Sequence, residues 1–265
     1  MAFGIISTDS DGRDLQSLLD SAGVDTQQVC TVKDRPTTVK TRILAGNQQV
    51  VRVDLEDTSD ISAALQKQLL ERLELTLSTG KVQALILEDY AKGVFTAPFM
   101  RKAIGIANSH NVMVTLDPHS SHPFNARGLT IMTPNRSEAF ALANVAPTPR
   151  PARLQDDKAL LTVGQKLLTK WGPKYLLITL GAGGMALFSK DDDSIHHIST
   201  CARQVFDVSG AGDTVMGTIV LALLAGAPVR DACAIANAAA GVVVGRVGTS
   251  AIEASVLKEE LSHHA

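Results

Sequence analysis

The stretch Asp207-Val208-Ser209-Gly210-Ala211-Gly212-Asp213-Thr214 runs directly into an apolar segment that extends to Ala227 and reads as a buried core helix starting near Val215. Small residues at 209 to 212 let backbone N–H groups converge where the helix N-terminus adds its partial positive charge, which makes an anion cradle. Asp213 follows in the first turn. A carboxylate so placed can take a proton from an attacking hydroxyl while the N–H groups stabilise charge on a transferring phosphoryl group. The plainer alternative is a helix start whose acidic residue complements the dipole.

Upstream of this stretch, from about Ser59, short apolar runs alternate with longer amphipathic segments. Leu85–Leu87, Val112–Leu116, Leu129–Met132 and Tyr175–Leu180 read as strands, and Ile61–Leu77, Phe99–Ser109, Ser137–Ala143 and Lys158–Lys170 as helices. This rhythm predicts an α/β fold with a mostly parallel sheet covered by helices on both faces. The strands end in Glu88-Asp89-Tyr90, Asp117-Pro118, Thr133-Pro134-Asn135 and Thr179-Leu180-Gly181. Parallel sheets place their sites beyond the carboxyl ends of the strands, so four polar endings point to a site, although the same residues also form ordinary turns.

Thr31 to Asp57 breaks the rhythm. Val39, Thr41 and Ile43 alternate with Lys40 and Arg42, and Val51, Val53 and Leu55 with Arg52 and Asp54, around Asn47-Gln48-Gln49. The pattern predicts a small antiparallel flap outside the main sheet, whose basic face meets either an anionic substrate or water.

Other templates fit less well. There is no GxxxxGK[ST] sequence, and Gly181-Ala182-Gly183-Gly184 precedes Met185–Phe188, which reads as another strand where a dinucleotide fingerprint needs a helix. Asp191-Asp192-Asp193 reads as a hairpin turn. His196-His197 and His263-His264 are adjacent pairs with no accompanying ligand cluster and are expected to be solvated. His119 and His122 follow a strand end. No GxSxG elbow supports hydrolase chemistry. The helix Asp231–Gly241, rich in small residues, suits close packing of another helix.

The 265 residues are 45% hydrophobic and 20% charged, with a formal net charge of -2. Such a chain can bury a substantial core, and its 25 Lys and Arg form no stripe. Nucleic acid and membranes are therefore not the expected partners. The run Thr214–Ala227 is shorter than the roughly 20 residues a bilayer needs, and the N-terminus turns acidic at Asp9 and Asp11, unlike a signal peptide. Cys30, Cys201 and Cys233 form no paired framework, which suits reduced thiols in the cytoplasm.

Taken together, the chain resembles the ribokinase-like (PfkB) carbohydrate kinases, and more narrowly the kinase module that phosphorylates D-glycero-β-D-manno-heptose 7-phosphate at O1 in bacterial ADP-heptose synthesis. Asp207–Asp213 matches the superfamily's C-terminal signature and Asn135-Arg136-Ser137-Glu138 its N-x-x-E motif. The narrower likeness rests on Arg35–Arg42, Asn47-Gln48-Gln49 with Arg52 and Asp54, Asp89–Gly93, and Ala236–Gly245 followed by Gly248-Thr249-Ser250.

The resemblance implies a ribokinase-like three-layer sandwich over residues 1–265, with 30–57 as an inserted β flap or lid, that uses ATP, Mg²⁺ and a monovalent cation such as potassium. It implies Asp213 as general base and Gly210, Ala211 and Gly212 as the anion hole. Asn135, Arg136, Ser137 and Glu138 would lie around the ATP phosphates, with Glu138 toward Mg²⁺. Thr179, Gly181 and Gly184 would line the nucleotide, Asn237 would border the adenine pocket, and Asp207 with Val208 would hold the monovalent cation. Lys40, Arg42, Asp89 and Lys92 would face a small sugar phosphate, and the flap would pair two subunits into a homodimer.

Departures from the family pattern give further expectations. A Gly-Gly pair followed by Asn is missing near the N-terminus, and Phe3–Ile6 aligns with a later strand of the family sheet, so the first strand is expected to be absent and the chain truncated. His119 replaces a Lys that many heptose kinases carry after Asp-Pro, and no nucleotidyltransferase domain is expected after Gly248. A nucleotide-binding relative without turnover, or a kinase for another sugar, is the alternative to a heptose kinase.

Overall fold

The computed structural model describes residues 1–45, 48–123, 126–151, 153–190, 192–202 and 204–262, so Asn47, Asp191, His263 and His264 lie outside the described residues. The chain divides into two compact units, one of residues 1–79 and 91–106, the other of 80–90 and 107–265.

In the first unit, strand β1 (Phe3–Ser7) pairs in parallel with β2 (Gln28–Val32) across helix α1 (Ser10–Ser21). Asp9 starts α1: its carboxylate accepts the Gly12 N–H at 2.8 Å, which satisfies one of the donors a helix start leaves unpaired. The same carboxylate accepts the Thr37 hydroxyl at 2.8 Å and the Thr37 N–H at 2.9 Å, and the Thr37 hydroxyl oxygen accepts the Ser7 N–H at 2.9 Å. Thr37, at the root of the flap, is thereby fixed to the first strand and helix.

The flap is a ribbon of β3 (Val39–Ala45) and β4 (Gln48–Leu55). It begins at Val39 rather than near residue 30, because Cys30–Val32 belong to β2. Val39 lies opposite Leu55, Thr41 opposite Val53 and Ile43 opposite Val51, so the apolar set shares one face as the alternation predicts. At the base, Arg35 donates to the Asp57 carbonyl at 2.7 Å and also binds the Ser59 carbonyl. Helix α2 (Ala63–Leu77), capped by Ser62, buries Leu69, Leu73 and Leu77 at helical spacing. Most of α3 (Ala97–Ser109) also belongs to this unit.

The second unit holds a six-stranded sheet made of β5 (Ala84–Glu88), β6 (Met113–Asp117), β7 (Ile131–Met132), β8 (Tyr175–Thr179), β9 (Met185–Ser189) and β10 (Asp192–Ile198), in the order β10-β9-β8-β7-β6-β5. β5 to β8 are parallel and β8, β9 and β10 antiparallel, so Met185–Phe188 is a strand, as expected, and Asp192 opens the return strand of a hairpin. Central strands covered on both faces read as continuous apolar runs, and Val114, Leu116, Ile131, Met132, Leu176, Leu177 and Ile178 are all buried.

The helices of this unit are α4 (Arg136–Leu142), α5 (Lys158–Trp171), α6 (Ala211–Leu224), α7 (Val229–Val244) and α8 (Ala254–Ser262). Asp157 caps α5 through the Leu160 N–H at 2.9 Å, and Gly172, at φ 66°, ends it in the left-handed conformation. Val215, Met216, Ile219 and Val220 of α6 and Cys233 and Ala236 of α7 form one core with Ile131, Leu177 and Leu187. The small residues of α7 do serve close helix packing, since α6 and α7 lie against each other. No helix among the described residues is long and apolar enough to cross a membrane.

α5 sits so close to β9 that a Cβ on Gly164 would lie 2.3 Å from the buried Phe188 ring. Gly164→Ala should destabilise the fold by about 1–3 kcal/mol through overpacking, read as a lowered urea midpoint with an unchanged slope.

Candidate active site

The carboxyl ends of β5 to β8 and the start of α6 converge in the second unit around a cavity of about 870 Å³, within the range of small-molecule sites. Its lining includes Asn135, Arg136, Ser137, Glu138, Thr179, Gly181, Gly184, Val208, Ala211, Gly212 and Asn237 from the sequence-derived set, and Asp117 in addition. Its walls are mainly apolar, with Leu180, Met185, Val205, Val215 and Val244 among them. Asp207, Gly210 and Asp213 lie outside this lining.

α6 starts at Ala211, four residues before the expected Val215, because Gly210 adopts φ 79° and turns the chain directly into the helix. Ala211 and Gly212 are thus first-turn residues, and Asp213 occupies the third helical position. The Ala211 N–H donates to the Val208 carbonyl at 3.2 Å. The N–H groups of Gly212 and Asp213 belong to the set that no intrahelical carbonyl can reach. Asp207 is held in the approach loop, where its carboxylate accepts the Ser209 N–H at 2.9 Å.

Asp213 meets two carboxylates absent from the sequence-derived set. Glu88, ending β5, and Asp117, ending β6, offer oxygens that lie with one of Asp213 within 4.8 Å of one another. Burial, then the charges of Asp117 and Asp213, push Glu88 up to about 8. Burial foremost, with the nearby negative charges of Glu138, Asp213 and Asp89, pushes Asp117 up to about 7, although the Thr133 hydroxyl donates to it at 3.3 Å. A Cβ on Gly212 would stand 3.5 Å from the Asp117 carboxylate, so a bare backbone faces that group.

The N-x-x-E motif opens α4 as a capping box. The Asn135 side-chain oxygen accepts the Glu138 N–H at 3.0 Å and the Ser137 hydroxyl at 2.6 Å, and the Asn135 N–H donates to Glu138 at 2.8 Å. Glu138 commits Oε2 to this bond, and burial raises its pKa. Arg136 turns to Asp157, 2.8 Å away with only 2% of the Asp157 side chain exposed, and stacks over Phe140.

Asn237, also in the cavity lining, donates to the Ser199 carbonyl at 2.7 Å and to the Cys201 sulfur at 3.1 Å. Gly184, at φ 75°, lets the 181–184 turn pass the Ile198 carbonyl, where a Cβ would lie 2.0 Å away. His197 is exposed, as expected, and its ring also bonds the Gly183 carbonyl at 2.9 Å.

The residues expected to face a sugar phosphate do not all fall in one unit. Asp89 belongs to the second, where it pairs with His122 at 2.7 Å. Lys40 and Lys92 belong to the first and both bind Glu56, Lys40 also Asp54 at 3.4 Å. Arg42 lies opposite Arg52, and among the described residues it makes no ion pair.

Residues 1–255 match the family described as pfkB family carbohydrate kinase. The chain belongs to that family. It is 38% identical over 258 residues to the bifunctional protein HldE of Methylobacillus flagellatus, covering 97% of this chain and 51% of the relative. It is 37% identical over 248 residues to HldE of Geobacter metallireducens, covering 94% and 49%. The chain thus spans about half the length of these curated relatives. Ribokinase of Arabidopsis thaliana complexed with ribose and ATP shares the fold at TM-score 0.74 and 21% identity, over 98% of this chain and 80% of that one. Phosphofructokinase-2 of Escherichia coli in complex with potassium does so at TM-score 0.77 and 17% identity, with the same coverage. The fold is ribokinase-like, with a mostly parallel central sheet flanked by helices.

Because Glu88 is pushed from 4.5 up to about 8, the folded chain keeps a proton that the unfolded chain has lost. The resulting stability is complete below the unfolded value and disappears as pH rises through the folded one. In chelator-treated protein, Tm should therefore fall between about pH 5 and about pH 9. Glu88→Gln should reduce that fall measurably in scanning calorimetry, leaving the part owed to Asp117.

Proposed function

We propose that the chain transfers the γ-phosphoryl group of ATP to O1 of D-glycero-β-D-manno-heptose 7-phosphate, in the synthesis of ADP-heptose for the lipopolysaccharide core. The observation that carries the chemistry is Asp213 in the first turn of α6, beside N–H groups without helical acceptors and next to the cavity that carries the capped N-x-x-E motif. The likeness to HldE over nearly the whole chain, together with the Arg35–Arg42 block, supports the sugar.

Asp213 takes the proton of the sugar hydroxyl as its oxygen attacks the γ-phosphorus, and the bond to the β-phosphate oxygen breaks with its electron pair leaving on ADP. The N–H groups at 210, 212 and 213 stabilise charge on the phosphoryl group in flight. Ala211 contributes less than its neighbours, since its N–H is already bonded to Val208. Asn135 and Ser137 keep Glu138 aimed into the cavity, and Arg136 anchors α4 through Asp157. Thr179, Gly181 and Gly184 line the nucleotide, and Asn237 borders the adenine by holding the 199–201 segment.

Glu138, together with Asp117, whose carboxyl feels its charge, would hold a hard dication, and Mg²⁺ there would supply charge neutralisation for the ATP phosphates. Asp207 and the Val208 carbonyl are the potassium candidates. Lys40 and Arg42 give the flap a cationic face suited to the phosphate of the sugar, Lys92 shares Glu56 with Lys40, and Asp89 positions His122. The whole chain serves as one kinase domain, with the flap as its lid.

The opposite face of the flap leaves Ile43 49%, Val51 45%, Val53 55% and Leu55 54% exposed. A ribbon this apolar on one side suits pairing with a second copy into a homodimer.

Two measurements test this reading. In a coupled ADP-release assay, heptose 7-phosphate should outrun ribose and fructose 6-phosphate, and Asp213→Asn should lower kcat by about 10²–10⁴-fold; equal rates for wild type and variant would remove Asp213 as base, and ATP binding without turnover of any sugar would remove the kinase. Val53→Lys should convert a dimer to a monomer by light scattering, and an unaltered mass would remove the flap as the interface.

A further inference from the structure

Next to the base stands a side chain to which the proposed chemistry gives no part. The Tyr90 hydroxyl donates to Asp213 Oδ1 at 2.7 Å, joining residues 123 positions apart within the second unit. Among the described residues no other side chain donates to this carboxylate. The surroundings make the bond consequential. Glu88 and Asp117 bring their oxygens within 4.8 Å of Asp213, so carboxyl groups crowd it from the sheet side, and on an exposed helix turn an untethered carboxylate would have other rotamers open to it. Tyr90 is itself well supported, because the preceding Asp89 donates its N–H to the Asp117 carbonyl at 3.0 Å and binds His122 through its carboxylate.

We propose that Tyr90 is a positioning residue: by holding Oδ1 of Asp213, it fixes the carboxylate so that Oδ2 is the oxygen that takes the substrate proton. This rests on the reading of Asp213 as the base. Tyr90 keeps its own proton throughout, and the proton from the sugar hydroxyl goes to Oδ2. The gain is orientation, since misplacement of a reacting group by about 1 Å can cost about 10²-fold in rate. Burial and the Asp213 carboxylate raise the pKa of the Tyr90 phenol, as an anchored donor to an anion requires.

The test uses the full chain. Tyr90→Phe removes one oxygen from a half-exposed side chain and should fold normally. Its single-turnover rate with ATP and heptose 7-phosphate should fall about 10- to 100-fold, with the KM for either substrate nearly unchanged. A wild-type rate, or a loss confined to KM, would overturn the proposal. The chain has two tyrosines, so protein labelled with 3-fluorotyrosine should give two fluorine resonances, assigned with Tyr175→Phe. Asp213→Asn should shift the Tyr90 resonance, and an unmoved resonance would overturn the contact. The resonance is read without substrate, so absence of turnover by the wild type, which would defeat the kinase reading, is distinguishable from failure of the Tyr90–Asp213 bond.

Discussion

Three carboxylates, Glu88, Asp117 and Asp213, stand with their oxygens within 4.8 Å of one another, and much of the second unit is organised to keep them there. Like charges at that distance repel by an amount that burial enlarges. Glu88 and Asp117 are held on the ends of adjacent parallel strands with every residue from Ala84 to Glu88 in register with Met113 to Asp117. Asp213 is fixed because α6 drives Val215, Met216, Ile219 and Val220 into the core. Apolar burial elsewhere thus sustains an arrangement the charges alone would disperse. Crowding of this kind is relieved by an added proton or a cation.

The polar surroundings answer that crowding in two ways. Donors are aimed at individual oxygens, as Thr133 is at Asp117, Tyr90 at Asp213 and the Asn135 N–H at Glu138. Protons are retained, since Glu88 and Asp117 both titrate near or above neutrality. Structural and chemical duties overlap in the same groups. Asn135 and Glu138 cap α4 and line the cavity at once, because the acceptor and acidic side chains that satisfy the open N–H groups of a helix start here stand on the cavity wall.

The flap has a separate logic. Its root depends on Asp9, which caps α1 and accepts two hydrogen bonds from Thr37, and on Arg35, which binds the carbonyls of 57 and 59 at the other end of the ribbon. The Arg-Pro-Thr-Thr block is therefore in part an anchoring device. A two-stranded ribbon is marginal by itself, so both of its ends need such fixing before it can carry Lys40 and Arg42.

Sequence alone determined the parallel sheet, the strand at Met185–Phe188, the alternating faces of the flap and the existence of the helix that carries Asp213 in its first turn. These follow from hydrophobic period and from glycine and capping chemistry, which act over a few residues. The strand endings at Glu88, Tyr90 and Asp117 were visible as polar residues in the right places, yet nothing local distinguished them from turn formers. Their chemistry comes from proximity to Asp213, about a hundred residues or more along the chain, and only the packing of α6 against the sheet brings that about. The same holds for His197 on the Gly183 carbonyl, Arg136 committed to Asp157 and Thr37 bound to Asp9, for a side chain's partner is chosen by what the fold places beside it. Local sequence sets which element forms; charge, hydrogen bonding and pKa depend on distance in space, and tertiary structure decides those.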